Sequence, residues 1–329
     1  MKKGLVVFLV TALLVFGSFS VFAESTSQQT LVLKAGHAVP PTHPYHLGLA
    51  KFAELVAQRT GNRVQIQIFP NAQLGNERDM IEGLQIGTID LVVSSTGPVG
   101  NFAPKMMVVD LPFLFRDRDH AYKVLDGEIG KTLLKQLEPK GIRGLAFWEN
   151  GFRHLTNSKR PINGPADLKG LKFRTMENEV HMASFKALGA NPSPMAWSEV
   201  FTALQQKVID GQENPIPIIY TTKIYEVQKY LALTGHFYSP ALLLISQQSW
   251  SKLTPEEQQV FATTAQEVAV YERNLIKEME DKQISELKAK GMIVTTPDKT
   301  LFRKATQEVY KKYEDKLGKD LVEKILETR

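Results

Sequence analysis

The chain has 329 residues, 43% of them hydrophobic and 23% charged, with a formal net charge of +5 and no cysteine. That length suits two domains with sizeable cores. The missing thiols exclude disulfide frameworks, thiolate metal sites, cysteine nucleophiles and a lipid-modified N-terminal cysteine.

Lys2 and Lys3 precede an uncharged run from Gly4 to Phe16, shorter than the roughly 20 residues a membrane span needs. Val21-Phe22-Ala23 then offers small residues at the positions a signal peptidase reads. The reading is an export signal over 1–23, cleaved after Ala23, and a mature chain that is exported, soluble and without a lipid anchor. Basic residues are spread along the chain and mixed with acids, which is a solvated surface and no footprint for nucleic acid.

Leu31 to Ala38 reads as a buried first strand, and the apolar residues from Leu47 to Val56 recur at helical spacing. Arg63 to Phe69 alternates, with Val64, Ile66 and Ile68 on one face, as a strand does. A helix from about Glu77 to Gly87 leads to a short buried strand at Leu91-Val92-Val93. This strand-helix-strand rhythm predicts an α/β domain with a largely parallel sheet. After Gly141 it resumes, with strands at 144–148, 152–157 and 171–175 and helices over 180–189 and 198–211. Further strands are expected at 230–233 and 242–246. From Thr254 the sequence turns helical: Thr254-Pro255-Glu256-Glu257 supplies an N-cap, a proline at the first helical position and a capping-box glutamate. The periodicity runs to Gly291, roughly 36 residues or 54 Å, so a single helix must lie across two domains unless it hides a break. No repeat or flexible linker stands out, so several crossings of the chain are expected to join the two lobes.

Recognisable catalytic chemistry is missing. No G-x-S-x-G, H-E-x-x-H or G-x-G-x-x-G occurs in the mature chain. Gly130-Lys131-Thr132 imitates the end of a phosphate loop, but Leu125 stands where that loop needs glycine, and Gly130 reads as a turn between helices. His37, His43 and His46 lie close together, yet Pro40, Pro41 and Pro44 break any regular spacing and no acid lies among them. They read as a polar loop rimming a cleft. No metal or other cofactor is expected, and no enzymatic activity.

Two arginines differ from the surface charges. Arg153 sits inside the strand-like Asn150-Gly151-Phe152-Arg153-His154, and Arg174 closes Gly170-Leu171-Lys172-Phe173-Arg174. A guanidinium is planar, permanently charged and forked to match a carboxylate. Either arginine is an anion anchor beside a cleft, or it is salt-bridged to a neighbouring acid such as Glu177.

The run from Ala187-Leu188-Gly189-Ala190 through Asn191-Pro192-Ser193-Pro194-Met195-Ala196-Trp197 to Asp210-Gly211-Gln212-Glu213-Asn214-Pro215 resembles the solute-binding proteins of TRAP transporters, the family named for C4-dicarboxylate binding. Gln73-Leu74-Gly75-Asn76-Glu77-Arg78, Asp167-Leu168-Lys169-Gly170 and Tyr225-Glu226-Val227-Gln228 carry the same likeness, which covers essentially all of the mature chain. The resemblance implies a two-lobed periplasmic-binding-protein-like α/β fold, each lobe a central sheet flanked by helices, with a long C-terminal helix spanning both. Lobe I is expected over 24–150 plus about 240–280, and lobe II over 151–239 plus about 281–329, with the ligand cleft between them. It further implies a periplasmic receptor, expected to be monomeric, that hands a small organic acid to ion-driven permease subunits.

By the same resemblance Arg174 pairs with the ligand carboxylate, Arg153 and Asn214 assist it, and Trp197 lies against the ligand. His37, Glu77 and Ser95 face it from the first lobe. Glu177 is a polar neighbour of the anchor, and together with Glu77 and Trp197 it points to hydroxylated or bulky monocarboxylates rather than a bare dicarboxylate. The competing reading is an exported soluble hydrolase acting on a small carboxylate-bearing substrate.

Overall fold

The computed structural model describes Met1 and residues 29–329; the signal peptide expected at 1–23, with its cleavage after Ala23, lies outside the described residues. Strand β1 (Leu31–Gly36) and β2 (Val64–Phe69) pair in parallel from Leu31↔Val64 to Gly36↔Phe69, with helix α1 (Pro44–Arg59) as the crossover. Helix α2 (Glu77–Ile86) starts from a capping box between Asn76 and Asp79 and stops at Gly87, whose φ is 75°. It leads into β3 (Leu91–Ser95), buried throughout and parallel to β1. A short helical turn, α3 (Thr96–Val99), precedes α4 (Arg118–Asp126) and α5 (Glu128–Lys135). The turn expected at Gly130 is made by Gly127 instead. Gly130 lies within α5, where a Cβ would stand 1.8 Å from the Leu125 carbonyl oxygen, so glycine is what lets α5 cross the end of α4.

The strands expected at 144–148 and 152–157 are one strand, β4 (Ile142–Asn157). A register shift between Glu149 and Gly151, with Gly151 at φ 118°, bends it without ending it. Then follow β5 (Lys172–Thr175), α6 (Glu179–Ala187), β6 (Asn191–Pro194), α7 (Trp197–Gln205), β7 (Gly211–Pro215), α8 (Ile216–Thr221), β8 (Tyr230–Ala232) and β9 (Tyr238–Ser246). The helix expected to reach Gly211 stops at Gln205, because Lys207 turns the chain at φ 58° and Gly211 opens β7. The first half of β4 pairs antiparallel with β9, and its second half with β7 and β8. The bent strand therefore belongs to both sheets, and the strand path runs β2-β1-β3-β9-β4-β7-β5-β6.

The chain closes with α9 (Gln247–Trp250), α10 (Pro255–Ala289), β10 (Ile293–Thr295), α11 (Lys299–Ala305), α12 (Gln307–Leu317) and α13 (Lys319–Glu327). Helix α10 is a single helix of 35 residues, started by a Thr254–Glu257 capping box. Its Phe261, Ala265 and Val268 pack into the core that also holds Leu33, Phe52 and Trp148. Leu287, near its other end, packs into a second-lobe core with Val200 and Ile219. One helix thus spans both lobes. Phe302 joins the second-lobe core with Phe173 and Phe185. Val309, Tyr313, Leu317, Val322 and Ile325 enter a cluster that holds Met106, Val124 and Leu133 and also Val180 of α6. The apolar faces of α12 and α13 are plain in the sequence; the core they enter is fixed only by the path of the chain. No described helix is long and apolar enough to cross a membrane.

Candidate functional site

A cavity with an empty volume of about 350 Å³ lies between the lobes, at the ends of β3, β5 and β7 and beside the bend of β4. Tyr45, Glu77 and Ser95 line it from the first lobe, Asn150 from the bend, and Arg174, Met176, Trp197 and Asn214 from the second.

Arg174 is 2% exposed. Buried Phe173 fixes the phase of β5, so the next side chain leaves the opposite face of the sheet. Its Nε and Nη2 both donate to the Met195 carbonyl oxygen, at 2.9 and 2.8 Å. Its guanidinium carbon stands 5.6 Å from the centre of the Trp197 ring. Burial lowers its pKa to about 10, against the pull of Glu213, so it stays cationic at neutral pH. The salt bridge to Glu177 is not formed. Among the described residues Arg174 is the one cation and Glu77 the one carboxylate in the cavity wall.

Arg153 is fully buried and does not line the cavity. Its Nε donates to Glu213 Oε2 at 2.5 Å, and its Nη2 donates to Glu213 Oε1 at 2.8 Å and Asn214 Oδ1 at 2.9 Å. Burial alone would raise the Glu213 pKa; Arg153 and His236 outweigh it and hold the carboxyl well below the usual range. Burial also lowers His236 to about 4, leaving it neutral with Nε2 3.2 Å from Glu213 Oε2. The sequence singled out Arg153 but not its counter-ion one residue before Asn214. Asn214 continues the network: its Nδ2 donates to Gln212 Oε1 at 2.5 Å, Gln212 Nε2 to Thr156 Oγ1 at 2.9 Å, and Thr156 to Gln228 Oε1 at 3.1 Å. Arg153 acts behind the wall, fixing which way the Asn214 amide faces.

Glu77 is the first residue of α2. Its Oε1 accepts from Ser94 Oγ at 2.9 Å, Ser95 N–H at 2.8 Å and Ser95 Oγ at 2.9 Å. All three bonds fall on one oxygen, leaving Oε2 open for a donor. Trp197 opens α7 and packs against cores of both lobes. His37 is buried outside the cavity wall, with Nε2 3.0 Å from His46 Nδ1, and burial followed by His46 lowers its pKa to about 3. Among the described residues no group of three or more His, Asp or Glu side chains is arranged to hold a metal. Glu177 also stays out of the wall; its main-chain oxygen accepts from Asn101 Nδ2 across the lobes at 2.7 Å.

Tyr45 and Asn150 were not singled out by the sequence. Each is nearly fully buried in the wall, and among the described residues Tyr45 Oη and Asn150 Oδ1 have no hydrogen-bond partner. Burial and the nearby Glu77 push the Tyr45 phenol well above its ordinary pKa, so it remains a donor. A buried polar atom without a partner costs about 1–3 kcal/mol. A ligand that satisfies it removes that penalty.

The family described as bacterial extracellular solute-binding protein, family 7, matches residues 35–316. The 2,3-diketo-L-gulonate-binding periplasmic protein of Escherichia coli (strain K12) is 41% identical over 295 residues, covering 89% of each chain. A TRAP periplasmic solute-binding protein from Polaromonas sp. JS666, solved with D-erythronate, superposes with a TM-score of 0.90 at 48% identity, over 91% of this chain and 99% of that one. The sugar-acid-binding protein of Advenella mimigardefordensis, solved with galactonate, gives 0.89 at 35% identity, over 91% and 98%. These relatives are receptors and not enzymes, and nothing supports the hydrolase reading. The chain belongs to the extracytoplasmic solute-binding proteins of family 7, the receptor subunits of TRAP transporters.

Proposed function

We propose that this receptor captures a polyhydroxylated monocarboxylate between two closing lobes and delivers it to ion-driven permease subunits. The observation that carries this is the pairing of one buried cation with one half-used carboxylate, Arg174 and Glu77, in the same small cavity. The carboxylate of the ligand docks on Arg174, with Asn214 beside it and Trp197 against its carbon chain. At the other pole, Glu77 Oε2 and Asn150 Oδ1 are acceptors in want of donors, and Tyr45 adds a hydroxyl. Hydroxyl groups supply such donors. The second carboxylate of a dicarboxylate would face Glu77 with no second cation to offset the repulsion.

Arg153, His37 and Glu177 serve from behind this wall, and Ser95 holds Glu77 in place. Charge-assisted hydrogen bonds contribute roughly 1.5–3 kcal/mol each, so a held guanidinium and two helpers carry much of a micromolar affinity near about −8 kcal/mol. A ligand touching both lobes binds the closed form better than the open one, and only that difference shifts the population. The erythronate and galactonate complexes of the relatives support the ligand class. Membership of the family supports the permease as partner and the periplasm as location; the sequence of the leader supports its removal after Ala23, and the receptor is proposed to act as a monomer. Calorimetric titration with four- to six-carbon aldonates and with succinate tests the reading. Aldonate affinity in the micromolar range, at least tenfold above succinate, is expected; succinate binding as tightly would overturn it.

A further inference from the structure

A second cavity, with an empty volume of about 1210 Å³, lies where α4, α10 and α11 meet and shares no wall residue with the ligand cleft. Its wall carries six cations, Arg116, Arg118, Arg273, Lys277, Lys299 and Arg303, against the two carboxylates of Asp117 and Asp119. Arg118 is engaged by Glu149 and Glu280, and Arg273 by Asp126. Arg116 donates to the main-chain oxygens of Leu326 and Thr328. Asp117 caps α4 by accepting from the His120 N–H at 2.8 Å. Among the described residues Lys277, Lys299 and Arg303 form no ion pair, and all three are exposed. The cations outnumber the carboxylates of this wall, so the groove carries a net positive charge, and a bound anion lowers the repulsion among them.

The groove also has an apolar floor. Arg118 lies over Phe152 at 5.8 Å, Arg273 over Tyr122 at 4.4 Å and Arg303 over Phe113 at 5.7 Å. Stacking on a ring fixes a planar guanidinium; Arg118 and Arg273 spend their N–H edges on Glu149, Glu280 and Asp126, and Arg303 keeps its edge for an anion. Phe113 is held at φ 57°, its N–H donating to the His236 carbonyl oxygen at 2.8 Å while its ring enters the second-lobe core. An occupant of this groove therefore touches both lobes. An ammonium group from α10 and, one turn apart on α11, an ammonium and a guanidinium suit a tetrahedral anion, which accepts in several directions; the single held fork of the cleft suits a planar carboxylate.

We propose that this groove is a second anion site, taking a phosphomonoester with an apolar body on Lys277, Lys299 and Arg303. Such a group occurs on soluble aryl phosphates and on lipid head groups, and the test separates the two. Phenyl phosphate and inorganic phosphate are titrated into the full chain by calorimetry, and flotation is measured with vesicles of phosphatidic acid in phosphatidylcholine. Saturable phenyl phosphate binding is expected, at least tenfold tighter than inorganic phosphate because of the ring. It should fall at least tenfold in the double variant Lys299→Gln/Arg303→Gln, and it should persist in Arg174→Lys. Vesicle binding with the same dependence on Lys299 and Arg303, but none to phenyl phosphate, assigns the phosphate to a lipid and keeps the site. Binding to neither, equal binding by the double variant, or loss in Arg174→Lys would each overturn the proposal. Unchanged aldonate affinity of the double variant shows that it is folded.

Discussion

The guanidinium of Arg174 is clasped between the Met195 carbonyl oxygen, 2.8 Å from Nη2, and the ring of Trp197, 5.6 Å from its central carbon. Both contacts hold the plane of the group before any ligand arrives, which limits the ordering entropy that binding must overcome. Lysine keeps the charge but has neither a plane to stack nor a rigid fork of donors to fix its direction. Arg174→Lys is expected to weaken aldonate binding at least tenfold, about 1.4 kcal/mol, with little change in melting temperature. Calorimetry reporting unchanged affinity would remove Arg174 from the anchor role.

Glu77 sets the other pole. In Glu77→Gln the amide oxygen can still accept from the Ser94 and Ser95 donors, while an NH₂ replaces the free carboxylate oxygen. The pocket then presents a donor where it presented a charged acceptor, and repulsion of a second carboxylate disappears. Affinity for aldonates should fall and affinity for succinate rise, moving their ratio by at least about tenfold, since specificity is a difference of two affinities. A ratio that stays put would show that Glu77 does not read the tail of the ligand.

Tyr45→Phe separates binding from stability. Among the described residues the phenolic oxygen is buried without a hydrogen-bond partner, so its removal leaves none of their polar atoms unsatisfied. Stability in urea should be equal to or above that of the parent. Affinity for the hydroxylated acid should drop about threefold to tenfold, the worth of one neutral hydrogen bond. Equal affinity in the two proteins would place the hydroxyl outside the contact set.

The parts of this site that carried signals in the sequence were charged or embedded in a distinctive run. Arg174, Trp197 and Asn214 stand in such stretches, and the structure brings all three to one cavity. Tyr45 follows a run of prolines and histidines at the start of α1, and Asn150 precedes a glycine; both are neutral, and the approach of α1 to the bend of β4 brings them to one cavity. The resemblance set His37 against the ligand and Glu177 beside the anchor, yet His37 is buried outside the cavity wall and the Glu177 side chain does not line it. The rhythm of the α/β fold was legible because apolar spacing records burial. The continuity of β4 was not, because Gly151 interrupts the alternation at the point where the strand changes sheets. A short amphipathic helix, likewise, shows which of its faces is buried but not which neighbours will cover it, as α12 and α13 illustrate.

Acid should unfold this protein by charging its histidines. Burial lowers His37 and His43 to about 3 and His236 to about 4, below the ordinary value of 6.5. Each is neutral when folded and titrates near 6.5 when unfolded, so below that pH the unfolded chain binds more protons and gains stability relative to the fold. The loss begins as pH falls through 6.5 and levels off only below the folded values. With three such groups, the slope reaches at most about 4 kcal/mol per pH unit, against a typical total of about 5–15 kcal/mol. Glu213 acts in the same direction further down, since its depressed pKa contributes stability that is present above the unfolded carboxylate value and lost as pH falls beneath it. Urea unfolding at pH 7, 6 and 5 should therefore show a steep decline across the lower interval, and His37→Gln should make that decline shallower by about one proton. A free energy of unfolding that holds level from pH 7 to pH 5 would mean that these imidazoles are not shut away from water as the packing of α1 and β9 requires.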